Sequence, residues 1–168
     1  MARDNARLAR GAGKDPRMNV RVLDDPYRLD TTDPSGFDVL VLHFVNWEKP
    51  DPNDKAKENL RSFVERGGGL VSLHFACGAF SNWTEYASLI VRVWDRTNTH
   101  DPRGIFRVDL VNTIHPVTRG LAPAFETDDE LYTYLAGDKP VELLATARSR
   151  ITNRDQRNRK ESAARCKP

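Results

Sequence analysis

Cysteine is nearly absent: Cys77 and Cys166 are the only two in 168 residues. One lies in an apolar segment and the other in a polar stretch, which argues against a disulfide framework and fits a reducing compartment. No apolar run approaches the about 20 residues that cross a bilayer, and no apolar h-region follows the basic first residues. The expectation is therefore a soluble, cytoplasmic protein without a membrane partner. There is no G-x-S-x-G pattern around Ser72, so a serine hydrolase is unsupported. The glycine run Gly67-Gly68-Gly69 precedes an apolar segment instead of following one, so it is not a phosphate-cradling loop. Histidine and cysteine nowhere take the compact spacing of a metal motif.

Large apolar residues are also scarce at both ends. Residues 1–17 hold five basic residues against two acidic ones, and residues 148–168 hold eight against two. The whole chain is only +2, so the middle is acidic, and an acidic folded body argues against a nucleic-acid partner. Ends this polar cannot repay the entropy of ordering. They are expected as a disordered leader (1–17) and a basic disordered tail (148–168) around one domain of residues 18–147.

What the middle does contain is organised around Gly67-Gly68-Gly69-Leu70-Val71-Ser72-Leu73-His74. The glycines stop a helix, and Leu70–Leu73 then suits a parallel strand buried on both faces. His74 falls at the carboxyl end of that strand, where ligands of open α/β sheets bind. Before it, Val39-Leu40-Val41-Leu42 reads as another buried strand with His43 at its end. A helix is expected from Asp54, its cap, to about Arg66, with Ala56, Leu60, Phe63 and Val64 on one face. Strand, helix and strand in this order predict a right-handed crossover with parallel strands.

Elsewhere, Met18–Leu23 alternates like a half-buried strand. Trp83–Val91 carries a short helical pattern. Ile105–Val111 and Val141–Ala145 read as strands, one of which should join the parallel sheet.

The series Phe37–Leu42, GGGLVSLH, Trp83–Ile90, His100-Asp101-Pro102, His115-Pro116-Val117-Thr118-Arg119-Gly120-Leu121, Asp129-Glu130-Leu131-Tyr132 and Val141–Ala147 resembles the ThuA-like (trehalose-utilisation) family. That family lies within the class I glutamine amidotransferase-like superfamily. The resemblance covers roughly residues 20–147 and rests on the order of the pieces. It implies a flavodoxin-like, mostly parallel sheet flanked by helices, here incomplete at the termini. It also implies that His74 stands where amidotransferases carry their cysteine nucleophile; Cys77, three residues on, is not that cysteine. Family members usually begin with another apolar strand and end with further strands, which residues 1–17 and 148–168 do not resemble.

The resemblance points to a small carbohydrate, trehalose or a keto-sugar, as partner, with His74 as acid/base residue. Histidine suits that role because its ordinary pKa lies near neutrality. The plain alternative for His74 is a core histidine. His100 and His115 are candidate substrate-binding residues, each steadied by a nearby proline, and a rigid turn is the plain alternative for His115. Trp47 is a candidate for stacking on a sugar ring, against the commoner role of tryptophan as a core anchor. His74, His100 and His115 together are also a candidate set for a divalent metal; no cofactor is otherwise indicated. Asp129 and Glu130 are expected in a solvated turn or helix start. A rival reading from another class is a non-catalytic remnant or binding module, and exposed sheet edges would favour a homodimer.

Overall fold

The computed structural model describes residues 2–95 and 99–150. The chain divides into two compact units, Met1–Val93 and Trp94–Pro168, each taken by itself below.

In the first unit, Ala2–Ala12 forms helix α1, regular where disorder was expected. Its single large apolar side chain, Leu8, stays exposed. Residues 18–23 are not a strand. Met18, Val20 and Val22 all face solvent, because an alternating segment becomes a strand only with a neighbour to pair. A 3-10 turn over Pro26–Asp30 follows, capped by the Asp25 side chain, which accepts the Tyr27 N–H. Strand β1 is Val39–Leu42 and strand β2 is Gly69–Ser72, joined by helix α2 over Asp54–Glu65. The strands pair in parallel, Val39 against Gly69 through Leu42 against Ser72, as the strand–helix–strand order required.

Helix α2 starts one residue earlier than expected: the cap is Asn53, whose side chain accepts the Ala56 N–H at 3.0 Å. Asp54 instead occupies the first turn, where its charge complements the helix dipole. Ala56, Leu60 and Phe63 are buried, at the i, i+4, i+7 spacing of one helix face. The 3-10 turn is strapped to this helix by Asn59, whose amide donates to the Leu29 carbonyl at 2.7 Å. At the far end Gly67 turns the chain with φ +90, a conformation glycine adopts without strain. Gly68 has a different reason: a Cβ there would lie 2.4 Å from the Phe63 ring.

The core of this unit gathers Leu42, Leu60, Ala76, Ala79, Phe80, Trp83 and Tyr86. Phe80 is its hub, with ring centroids 5.4 Å from Phe44, 5.3 Å from Trp83 and 4.9 Å from Tyr86. Such pairs add about 0.5–1.5 kcal/mol each beyond area burial. Helix α3, Tyr86–Ile90, is shorter than the pattern over Trp83–Val91 suggested. The strands are buried on one face only, not both: Val39, Val41 and Val71 are each about half exposed, at 50%, 58% and 46%.

The second unit is antiparallel. Strands β3 (Thr99–His100), β4 (Gly104–Leu110), β5 (Ala124–Asp129), β6 (Tyr132–Thr133) and β7 (Ala145–Ala147) form two small sheets, β3 with β6 and β5-β4-β7. The Ile105–Val111 segment thus pairs antiparallel with β5 and β7 and does not join the parallel sheet. Residues 141–144 are irregular, and only Ala145–Ala147 is strand. A register with Phe106, Val108 and Leu110 turned inward, and Ile105 outward, settles the imperfect spacing in the sequence. The tail beyond Arg150 lies outside the described residues. Among them, no helix is long and apolar enough to cross a membrane.

Candidate functional site

Strand β2 ends in a sharp bend. His74 has φ +50, the left-handed region that costs a non-glycine residue about 1–3 kcal/mol when the surroundings enforce it. It opens a 3-10 turn, His74–Gly78, whose middle residue Ala76 is buried. The His74 ring stands edge-on to Phe75, centroids 4.0 Å apart, and the Phe75 ring also meets the His43 ring, with centroids 5.9 Å apart. The Leu73 N–H donates to the Leu42 carbonyl at 2.9 Å, so the two strand ends, and with them His43 and His74, share one edge. His43 is the residue that sequence reasoning left aside. Its only signal was its position one step past an apolar strand.

The loop after β1 is bound to the chain after β2. Buried Asn46 accepts the Phe80 N–H at 3.1 Å and donates to Asp51 at 2.8 Å, and Asp51 accepts the Asn82 N–H at 3.0 Å. The Trp47 indole N–H donates to the Gly78 carbonyl at 3.1 Å, the last residue of the turn that His74 begins. Trp47 is nonetheless 42% exposed. Its N–H edge is anchored while much of the ring surface faces water. Trp83 is the contrasting case, buried in the core with its N–H donated to Glu85 at 2.7 Å.

Beneath the bend, the Tyr86 hydroxyl donates to the Ala76 carbonyl at 2.7 Å. Burial pushes its pKa well above the ordinary tyrosine value, and a contact with Ser72 opposes the shift only in part. Tyr86 is therefore a neutral prop for the turn and no proton donor at physiological pH. Cys77 lies half-buried in the same turn.

The other two histidines lie in the second unit. His100 sits on β3 opposite Tyr132, with ring centroids 5.4 Å apart. Its Nδ1 is 2.9 Å from the Asp101 carbonyl oxygen and 3.8 Å from the Glu130 carboxylate. His115 belongs to a turn: the Asn112 side chain accepts the N–H groups of Ile114 and His115, at 3.2 and 3.1 Å, and His115 Nδ1 accepts the Val117 N–H at 3.2 Å. Asp129 ends β5 and accepts the Glu130 N–H at 2.8 Å, the local bond of a turn. Among the described residues, no three His, Cys, Asp or Glu side chains gather where they could hold a metal ion.

Comparison with known proteins fits this architecture. The model of the ThuA family, described as trehalose utilisation, matches residues 2–163, beyond 20–147 at both ends, where the sequence had suggested unrelated leader and tail. A crystal structure of a ThuA-like protein from Parabacteroides merdae is similar with TM-score 0.61 and 22% identity, over 69% of this chain and 50% of that one. A ThuA-like protein from Bacteroides uniformis is similar with TM-score 0.59 and 20% identity, over 76% and 53%. The chain thus spans about half the length of the solved structures it matches. None of the curated proteins compared matches it. With its family match running over nearly its whole length, the chain belongs to the ThuA, trehalose-utilisation, family.

Proposed function

We propose that this chain acts on a small carbohydrate, trehalose or a keto-sugar derived from it, with His74 as the acid/base residue. Support comes first from one observation: a histidine held at φ +50 on the bend after a parallel strand. Strain of this kind concentrates at working sites, and the carboxyl edge is where open α/β sheets bind ligands. Trp47 supplies a partly exposed aromatic face anchored to the same turn, suited to the apolar face of a sugar ring. His100 and His115 are the further substrate-binding residues in this reading. It places the protein in the cytoplasm, with no nucleic-acid or membrane partner and with a homodimer as the assembly.

The test is a titration of the full chain with trehalose and keto-disaccharides, read by tryptophan fluorescence and by turnover. Binding that disappears in Trp47→Ala, with turnover lost in His74→Ala while binding stays within a few-fold, is the expected pattern. Binding without turnover in the wild type would favour the non-catalytic binding module. No response to any sugar would overturn the carbohydrate reading.

A further inference from the structure

The bend that carries His74 is left-handed at both ends. His74 opens it at φ +50, and Phe80 closes it at φ +50 as well. A bulky aromatic residue takes that conformation only where its surroundings enforce it. The Phe80 ring is held by the core around it, and its peptide is held separately. The Phe80 N–H donates to the Asn46 side chain at 3.1 Å, and the Phe80 carbonyl accepts the Trp83 N–H at 2.9 Å.

Asn46 is buried and uses both ends of its amide. The side-chain oxygen takes the Phe80 N–H, while the side-chain nitrogen donates to Asp51 Oδ1 at 2.8 Å and lies 3.4 Å from the Pro50 carbonyl oxygen. A carboxylate and a carbonyl only accept, so a flipped amide would set oxygen against oxygen and N–H against N–H. Asp51 Oδ2 accepts the Asn82 N–H at 3.0 Å, which ties down the chain just past Phe80. The next residue, Trp47, donates its indole N–H to the Gly78 carbonyl at 3.1 Å. Two consecutive residues of the loop after β1 therefore grip the bend, one at an N–H and one at a carbonyl.

We infer that Asn46 is a positioning residue for the bend that carries His74. Through the Phe80 N–H it holds the far end of the bend left-handed, and with it the bond between Trp47 and Gly78, so that it governs the rate at His74 without touching substrate. The proposal rests on the reading of His74 as the acid/base residue. A catalytic group must be held within about 0.5 Å of its productive geometry, and a strained backbone persists only while its surroundings over-determine it.

Hydrogen exchange of the nitrogen-labelled full chain reads the bend without any substrate. In the wild type the Phe80 amide and the Trp47 indole N–H are protected. Asn46→Ala removes the protection of both, although Trp47 itself is untouched, while the amides of helix α2 keep theirs. Asn46→Asp keeps an acceptor for Phe80 but sets two carboxylates face to face at neutral pH, and it exposes the same two groups. Adding Asp51→Asn reverses the polarity of the pair at the net charge of the wild type. The carboxylate at position 46 then accepts from the Phe80 N–H and from the amide at position 51, whose oxygen accepts the Asn82 N–H. Protection returns in this double variant, which keeps the test intact if Asn46→Ala does not fold. Unchanged protection of Phe80 and Trp47 in the folded single variants, or a double variant no better protected than Asn46→Asp, overturns the inference.

Turnover of keto-disaccharides separates this result from the reading beneath it. Asn46→Ala and Asn46→Asp lower kcat about ten- to a hundredfold with KM within a few-fold, and the double variant recovers most of the loss. A folded Asn46→Ala with lost protection and wild-type kcat overturns the positioning role. If the wild type turns over no sugar, the reading of His74 fails, and the exchange data alone decide whether Asn46 holds the bend.

Discussion

The two units are held together by different physics. In the first, the buried set is dominated by apolar and aromatic side chains, from Leu42 and Leu60 to Phe80 and Tyr86. Among the described residues of the second, the buried residues are Asp101 and Thr118, both polar and both hydrogen-bonded. Several of its large apolar side chains sit outside, with Ile105 67%, Ile114 84% and Val117 68% exposed. Backbone ladders and polar latches do there what side-chain burial does in the first unit. His74, at φ +50, lies in the unit that has this packing, which helps hold its backbone; the second unit also holds a residue at positive φ, the exposed Tyr134 at φ +56. The histidines of the second unit need only local hydrogen bonds, and they have those.

The largest expected effect breaks this contrast if it is wrong. Leu60→Ala deletes a fully buried side chain of the first core and should lower the stability of the full chain by about 2–5 kcal/mol. Val108→Ala, on a half-buried strand of the second unit, should cost under about 1 kcal/mol, because little of the removed surface leaves water. Urea unfolding followed by circular dichroism measures both. Equal losses would mean that the second unit has an apolar core after all.

This contrast also decides what could be read from the sequence. The parallel pair Val39–Leu42 and Gly69–Ser72 was legible because a strand, a 12-residue amphipathic helix and a strand leave little topological choice. So was the place of His74, since strand ends locate sites in sheets of this kind. Membership in the family was legible from the order of short motifs. In the second unit the strand at Ile105–Val111 was legible, observed as Gly104–Leu110, but its antiparallel pairing was not, because the unit turns out many of the apolar residues that sequence reasoning expects inward. The alternation of 18–23 misled in the same way, since periodicity reports a face and cannot report whether a neighbour covers it. The Asp101 carboxylate accepts the Ser149 hydroxyl and the Arg150 N–H, 48 and 49 positions away, and nothing local in His100-Asp101-Pro102 announces a partner at Ser149 or Arg150.

A smaller effect sharpens the account of the first core. Tyr86 has its folded pKa raised by burial, whereas an unfolded tyrosine titrates near 10. The folded state therefore keeps a proton that the unfolded state releases. The associated stability is fully present below about pH 10 and is lost as pH rises above it. Tyr86→Phe should cost about 1 kcal/mol at neutral pH, for the bond to the Ala76 carbonyl, and should flatten the alkaline decline in unfolding free energy. An alkaline limb unchanged by Tyr86→Phe would assign the decline to other groups.

The central claim is that the bend at His74 is strained for the sake of the side chain it presents, and a comparison of His74→Gly with His74→Ala tests it. Both variants remove the imidazole and its contact with Phe75, but only glycine accepts φ +50 without strain. His74→Gly should be about 1 kcal/mol more stable than His74→Ala in urea unfolding, and neither should turn over the sugar. A glycine variant no more stable than the alanine variant, or wild-type turnover in either, would contradict the account.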